Sequence, residues 1–79
     1  MNDESVRDRV RETMMAILEL ERQEMDDAAH FSDDLSGDSV QKLELIVALE
    51  KEFNIHYAIE DAANMNTVDQ IVQITRNYV

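Results

Sequence analysis

The chain has 79 residues, no cysteine, no proline and a formal net charge of −11. This length predicts a single domain over residues 1–79, and the lack of cysteine excludes disulfides, thiolate metal ligands and cysteine catalysis. The acidic surface disfavours nucleic acid and anionic membranes as partners, no apolar stretch reaches the ~18 residues of a membrane span, and the N-terminus lacks the apolar core of a signal peptide. We therefore expect a cytoplasmic monomer whose partners are basic proteins.

The spacing of apolar residues predicts an all-α fold, because no segment alternates between apolar and polar residues as a strand does. The first helix is predicted from about Asp3 to about Leu20, with Ser5 and Asp8 forming its N-terminal cap. The core-facing residues of this helix recur at helical spacing. They are Val6, Val10, Met14, Ile17 and Leu18.

A long connection follows over about residues 21–37, and no secondary structure is predicted for it. Connections of this kind are unusual in small domains and are often functional. Phe31 and Leu35 are expected to anchor the connection to the core. Residues 19–38 include eight acidic residues and one basic residue, a net charge of −7. This stretch is either a solvated acidic loop or a docking surface for basic enzymes.

The second helix is predicted from Ser39 to Phe53, with Asp38 as its N-cap and Gln41 completing a capping box. At ~100° per residue, Leu45, Leu49 and Phe53 share one face, which we assign to the core. The roughly opposite face carries Val40, Glu44, Val47 and Lys51. Two valines flanked by charges and facing away from the core indicate a small apolar contact surface for partners.

A short third helix is predicted over about Ile59 to Asn64. The fourth helix opens at Val68, after a capping box formed by Thr67 and Gln70. Its apolar stripe comprises Val68, Ile71, Val72, Thr75 and Tyr78. The predicted architecture is a small four-helix bundle with three main helices and a short third one.

The hydroxyl of Ser39 is the principal candidate for chemistry. At the N-terminus of a helix, a phosphate attached to it would meet unpaired backbone N–H groups and the positive end of the helix dipole. A serine hydrolase is disfavoured, because the nucleophile elbow needs a second glycine where Gln41 stands and only His30 and His56 could act as the base. A serine triad is therefore not expected on this chain.

Residues 33–38 are similar in composition to a calcium-binding EF-hand loop. Alignment on Gly37 places Ser32 at the first ligand position and Leu43 where the bidentate glutamate must stand, so both anchoring ligands are missing. Weak cation binding by the acidic cluster, as in a small calcium-binding protein, remains an alternative.

The motif around Ser39 resembles that of the acyl carrier protein family, which usually reads Asp-Leu-Gly-x-Asp-Ser-Leu. Here Asp34, Leu35, Asp38 and Ser39 match, Ser36 takes the place of the glycine and Val40 that of the last leucine. The helix that follows, residues 43–55, extends the resemblance, which covers nearly the whole chain.

The resemblance implies that Ser39 bears a covalent 4′-phosphopantetheine arm, with Asp38 as its motif partner and cap. The arm's thiol would carry acyl groups as thioesters, so a cysteine-free chain needs no thiol of its own. The resemblance also implies that the domain itself is not an enzyme. The partners implied are a phosphopantetheinyl transferase and enzymes that act on the cargo: an acyltransferase, a ketosynthase or another acyl-modifying enzyme.

In this family, acidic residues of the second helix pair with arginine and lysine of partner enzymes, and the matching residues are Glu44 and Glu50. Lys51 stands where a further acid is usual, and Lys42 adds a second base. This reduced acidity favours a specialised pathway such as polyketide assembly over fatty-acid biosynthesis. The alternative function is an acidic helical interaction module that is never modified.

Overall fold

The computed structural model describes residues 2–79 and places four α-helices among them. They are α1 (Asp3–Leu18), α2 (Ser39–Phe53), α3 (Ile59–Ala63) and α4 (Val68–Thr75), and a short 3-10 helix spans Arg22–Glu24. No strand occurs within these residues. The predicted all-α four-helix fold with a short third helix is confirmed.

The core lies where α1 packs against both α2 and α4. The predicted faces of α2 and α4 point into it, because Leu45, Leu49, Val68 and Ile71 are fully buried. Of the residues predicted for α1, the first three are buried and the last two, Ile17 and Leu18, are partly buried against the cluster. The fully buried side chains are Val6, Val10, Met14, Leu45, Leu49, Met65, Val68, Ile71, Val72 and Thr75.

The predicted start of α1 at Asp3 is confirmed, but its predicted N-cap and its predicted end at Leu20 are wrong. The N-cap is Asn2, whose side-chain oxygen accepts the backbone N–H of Ser5 at 2.8 Å, so Ser5 and Asp8 do not form the cap. The helix ends at Leu18 because Glu19 adopts a left-handed conformation, with φ of 54°. The N–H groups of Glu19 and Leu20 both donate to the Met15 carbonyl, which closes the last turn.

The start of α4 differs from the predicted capping box. Thr67 Oγ1 accepts the N–H of Gln70 at 3.1 Å, as expected, but Gln70 Oε1 accepts from the N–H of Asn66 instead of Thr67. The helix ends at Thr75, so Tyr78 lies beyond it. Helix α3 ends at Ala63, one residue before the predicted boundary.

Tyr78 connects the end of the chain to α3. Its hydroxyl accepts the N–H of Ala58 at 2.9 Å and donates to the carboxylate of Asp61. Its ring packs edge-on against that of Tyr57, whose hydroxyl forms a buried hydrogen bond of 2.7 Å with Thr75. Tyr78 is therefore part of the packing between α3 and α4, although it belongs to neither helix.

The connection between α1 and α2 is folded against the bundle. Asp27 accepts hydrogen bonds from Arg11 Nε at 2.7 Å and Arg7 Nη1 at 2.8 Å, and its side chain is only 19% exposed. These arginines, with Arg11 the larger cause, hold the pKa of Asp27 below its usual value. One of the eight acids in residues 19–38 is thus an internal contact and does not face partners.

Phe31 anchors the second half of the connection. Its side chain is 3% exposed, its N–H donates to the Asn66 carbonyl at 2.6 Å, and its carbonyl accepts from Gly37 N–H at 2.9 Å. A Cβ on Gly37 would lie 2.3 Å from the Phe31 ring, so only glycine fits there. The left-handed residue is instead Ser36, with φ of 60°. Leu35 is partly buried against the core.

We predict that Asp27→Asn lowers the free energy of unfolding at pH 7 by about 1 kcal/mol, because it weakens charge-assisted hydrogen bonds near the surface. Since folding lowers the pKa of Asp27, this contribution is complete above the unfolded-state pKa of about 3.9 and is lost as pH falls through the lower folded pKa. Urea unfolding at several pH values measures both effects. Asp8→Asn is the matched control, because Asp8 also faces Arg11 but is 67% exposed; an equal loss there would contradict the prediction.

We predict that Gly37→Ala destabilises the protein by about 1–3 kcal/mol, because the added methyl group overlaps the buried Phe31 ring. Ser36→Gly is expected to stabilise it by about 0.5 kcal/mol, since glycine adopts positive φ without the side-chain penalty. Urea denaturation of both variants tests whether residue 37 is restricted by the space beside Phe31 and residue 36 by its positive φ. Equal tolerance of Gly37→Ala and Ser36→Gly would contradict the assignment.

Candidate functional site

Ser39 is the first residue of α2, and its side chain is exposed. Asp38 Oδ1 accepts the N–H of Gln41 at 2.8 Å, and Gln41 Oε1 accepts the N–H of Asp38 at 3.1 Å. The predicted capping box is therefore confirmed. Because Asp38 supplies the cap, the hydroxyl of Ser39 takes no part in it and is left for chemistry.

The first backbone N–H groups of α2 are only partly used. Asp38 takes those of Gln41 and Lys42, through its side chain and its carbonyl respectively. Within residues 2–79, those of Ser39 and Val40 have no hydrogen-bond acceptor. They lie at the positive end of the helix dipole, where a negatively charged group is stabilised.

A groove of about 270 Å³ lies beside Ser39, and we call it the Ser39 groove. Its lining residues are Phe31, Ser32, Gly37, Asp38, Ser39, Lys42 and Asn66. Lys42 Nζ donates to Asn66 Oδ1 at 3.0 Å and lies 5.9 Å from the centre of the Phe31 ring. Burial lowers the pKa of Lys42.

The side of α2 that faces away from the core is more apolar than the sequence analysis indicated. We call it the outer face of α2; it forms a shallow depression lined by Val40, Leu43, Glu44, Val47, Ala48 and Lys51. The exposed fractions are 66% for Val40, 65% for Leu43 and 49% for Val47. Leu43 was missed, although its position three residues after Val40 and four before Val47 places it on the same face.

Glu50 has a contact inside the domain. Its Oε2 accepts the backbone N–H of Tyr57 at 2.9 Å, its side chain is 22% exposed, and His56 Nδ1 lies 3.7 Å away. Glu50 therefore stabilises the turn after α2. Glu44 and Lys51 are exposed on the outer face.

Neither histidine is hydrogen-bonded to Ser39 within the described residues. His30 Nδ1 instead accepts the N–H groups of Ser32 and Asp33, both at 3.2 Å, and His56 is 96% exposed. Residues 2–79 hold no group of three or more His, Asp or Glu side chains arranged to bind a metal ion. No α-helix in this part of the chain is long and apolar enough to cross a membrane.

A family model described as the phosphopantetheine attachment site matches residues 8–74, a range that includes Ser39 and its groove. Proteins named acyl carrier protein are similar over almost their whole length. The one from Buchnera aphidicola of Schizaphis graminum is 36% identical over 92% of both chains. The chain belongs to the acyl carrier protein family.

Further comparisons agree with this assignment. The acyl carrier protein of Chlorobium luteolum is 33% identical over 91% of this chain and 92% of its own. A Mycobacterium tuberculosis structure, provisionally assigned as an acyl carrier protein, superposes with a TM-score of 0.84 at 28% identity. It covers 94% of this chain and 99% of its own.

As a member of this family, the protein is a carrier of covalently attached 4′-phosphopantetheine and not an enzyme. The residues at the start of α2 fit such a group: an exposed hydroxyl outside the cap, two unpaired N–H groups and an adjoining groove with an ammonium. When attached, the group supplies the thiol that a chain without cysteine lacks.

Proposed function

We propose that residues 1–79 form one carrier domain that bears the phosphopantetheine arm on Ser39. The arm carries acyl intermediates as thioesters and presents them to partner enzymes in polyketide or fatty-acid biosynthesis. The observation that supports this most directly is the exposed Ser39 hydroxyl, which lies between the two residues of the Asp38–Gln41 capping box and takes no part in it.

In this function each residue of the attachment site has a defined task. Asp38 fixes the first turn of α2, so that Ser39 is presented at the same place to every enzyme. Its Oδ1 accepts the backbone N–H of Gln41, so part of the carboxylate charge is directed toward the helix and away from the attached group. Ser39 supplies the oxygen to which a phosphopantetheinyl transferase joins the arm.

The outer face of α2 is the proposed contact surface for that transferase and for acyltransferases, ketosynthases and other acyl-modifying enzymes. Its apolar centre consists of Val40, Leu43 and Val47, with Glu44 and Lys51 as charged neighbours. Glu50 contributes its charge at the edge of the surface, while its Oε2 accepts the backbone N–H of Tyr57. An apolar centre with a charged rim is typical of protein interfaces.

The charge of α2 supports a specialised carrier, of the kind used in polyketide assembly. Two lysines, Lys42 and Lys51, offset three glutamates on this helix, so its net charge is only −1. A less acidic helix attracts strongly basic enzymes less and relies more on apolar contact. A carrier for fatty-acid biosynthesis is the other possibility that the proposal includes.

The alternative function is an acidic interaction module that keeps this fold and is never modified. It would need the apolar outer face but no free hydroxyl at Ser39. The intact Asp38–Ser39 pair beside a groove therefore favours the carrier.

We predict that incubation with coenzyme A, Mg²⁺ and a broad-specificity phosphopantetheinyl transferase adds the mass of one phosphopantetheine to the parent chain and nothing to Ser39→Ala. Intact-mass spectrometry measures the addition, and circular dichroism checks that both chains are folded. Addition to Ser39→Ala would show a different site. No addition to a folded parent chain would favour the interaction module or a dedicated transferase that reads Ser36 and Val40.

We predict that Val47→Asp lowers kcat/KM of the transferase by about tenfold, because it places a charge in the centre of the contact surface. Since Val47 is 49% exposed, the free energy of unfolding should change by less than about 0.5 kcal/mol. Val79→Asp is the matched control, because it adds the same charge at an exposed valine outside the outer face. Unfolding by Val47→Asp, or an equal loss of rate with Val79→Asp, would contradict the proposed surface.

A further inference from the structure

The basic residues divide into two groups by their partners. All five arginines form ion pairs with carboxylates, as in the contacts of Arg9 with Glu52 and of Arg76 with Asp3. Within residues 2–79, the two lysines have no such partner. Lys51 is exposed to water, whereas Lys42 is half-buried. Lys42 is therefore the one desolvated cation without a counter-ion in the part of the chain that the structure describes.

This environment is costly for an ammonium group. The group has three N–H donors, and the structure gives it one neutral acceptor, Asn66 Oδ1, and the face of the Phe31 ring. Burying a charge is unfavourable unless it is paired and hydrogen-bonded. In a chain with 18 acidic residues, an unpaired cation in a groove is best explained by an anion that the groove receives.

The position of Lys42 relative to Ser39 identifies that anion. The two residues are three apart on α2, so their side chains leave the same side of the helix, and both line the Ser39 groove. The only other ionisable residue in this lining is Asp38, whose Oδ1 accepts the backbone N–H of Gln41. A phosphate attached to Ser39 would therefore be bound to a residue that lines this groove, and Lys42 is the one cation in that lining.

We propose that the Lys42 ammonium binds the phosphodiester that joins the arm to Ser39, and exchanges Asn66 Oδ1 for a phosphate oxygen. This inference rests on the proposed attachment to Ser39. A charge-assisted hydrogen bond to phosphate is stronger than the bond to a neutral amide that it replaces. The unpaired N–H groups of Ser39 and Val40, at the positive end of the helix dipole, favour an anion at the same end of α2. Lys42 acts here as a positioning residue, which directs the first part of the arm along the groove.

NMR of the modified protein tests this contact directly. Lysine side chains are labelled with ¹³C, the arm is attached enzymatically, and its presence on Ser39 is verified by mass. At pH 7 we expect a nuclear Overhauser effect between the Lys42 ε-methylene protons and the arm's methylene protons next to the phosphate. None is expected for Lys51, which serves as the internal control. The wild-type measurement needs no substitution.

Variants then separate contact from general electrostatics. We expect Lys42→Met to shift the ³¹P resonance of the phosphodiester, while Lys51→Met, which removes the same charge from the same helix, leaves it unchanged. Asn66→Ala removes the competing acceptor and should strengthen the Overhauser effect. The inference would be overturned if the arm is attached to Ser39 but Lys42 shows no Overhauser effect to it, and if the ³¹P shift is the same in wild type and Lys42→Met. That result would leave the proposed function intact. Failure to attach the arm to Ser39 would overturn the proposed function and this inference with it.

Discussion

The packing of the Phe31 ring against Gly37 is the constraint on which the site depends. The ring is buried, the backbone of Phe31 is bonded to both Asn66 and Gly37, and the close approach leaves no room for a Cβ. This contact fixes the last residues of the connection and therefore the point at which α2 begins. The Lys42 ammonium lies over the face of the same ring, in a cation–π contact. The Phe31 ring is thus part of the core and also part of the groove beside Ser39.

Helix α2 has two sharply separated faces, one buried in the core and one exposed. Leu45 and Leu49 are fully buried, while Leu43, two residues before Leu45, is 65% exposed. The buried side supplies stability through apolar area removed from water. The outer face contributes little to that stability, so the core does not restrict its composition, which is compatible with the proposed contact with partner enzymes. The acidic connection is less free, since Asp27 is held by arginines of α1.

The boundaries of a helix could be predicted from the sequence where the local patterns agree with one another. Both ends of α2 were predicted correctly, because a capping box and a strong apolar period agree there. The N-cap of α1 was not predicted correctly, because Asn2 and Ser5 are both residue types that favour an N-cap. The contact of Glu50 with Tyr57 and the charge environment of Lys42 depend on chain reversals, and no spacing along the sequence indicates them. The need for a glycine at position 37, which leaves space for the Phe31 ring, was visible only in three dimensions.

The hydroxyl of Tyr78 makes the end of the chain part of a distant element. Helix α3 has five residues, too few to be stable alone in water, and it has no side-chain cap. Its first turn is held by Tyr78 through the N–H of Ala58 and the carboxylate of Asp61. Removal of Tyr78 and Val79 would therefore destabilise α3 more than α4. A segment fused after Val79 would likewise affect the position of α3 if it displaced Tyr78.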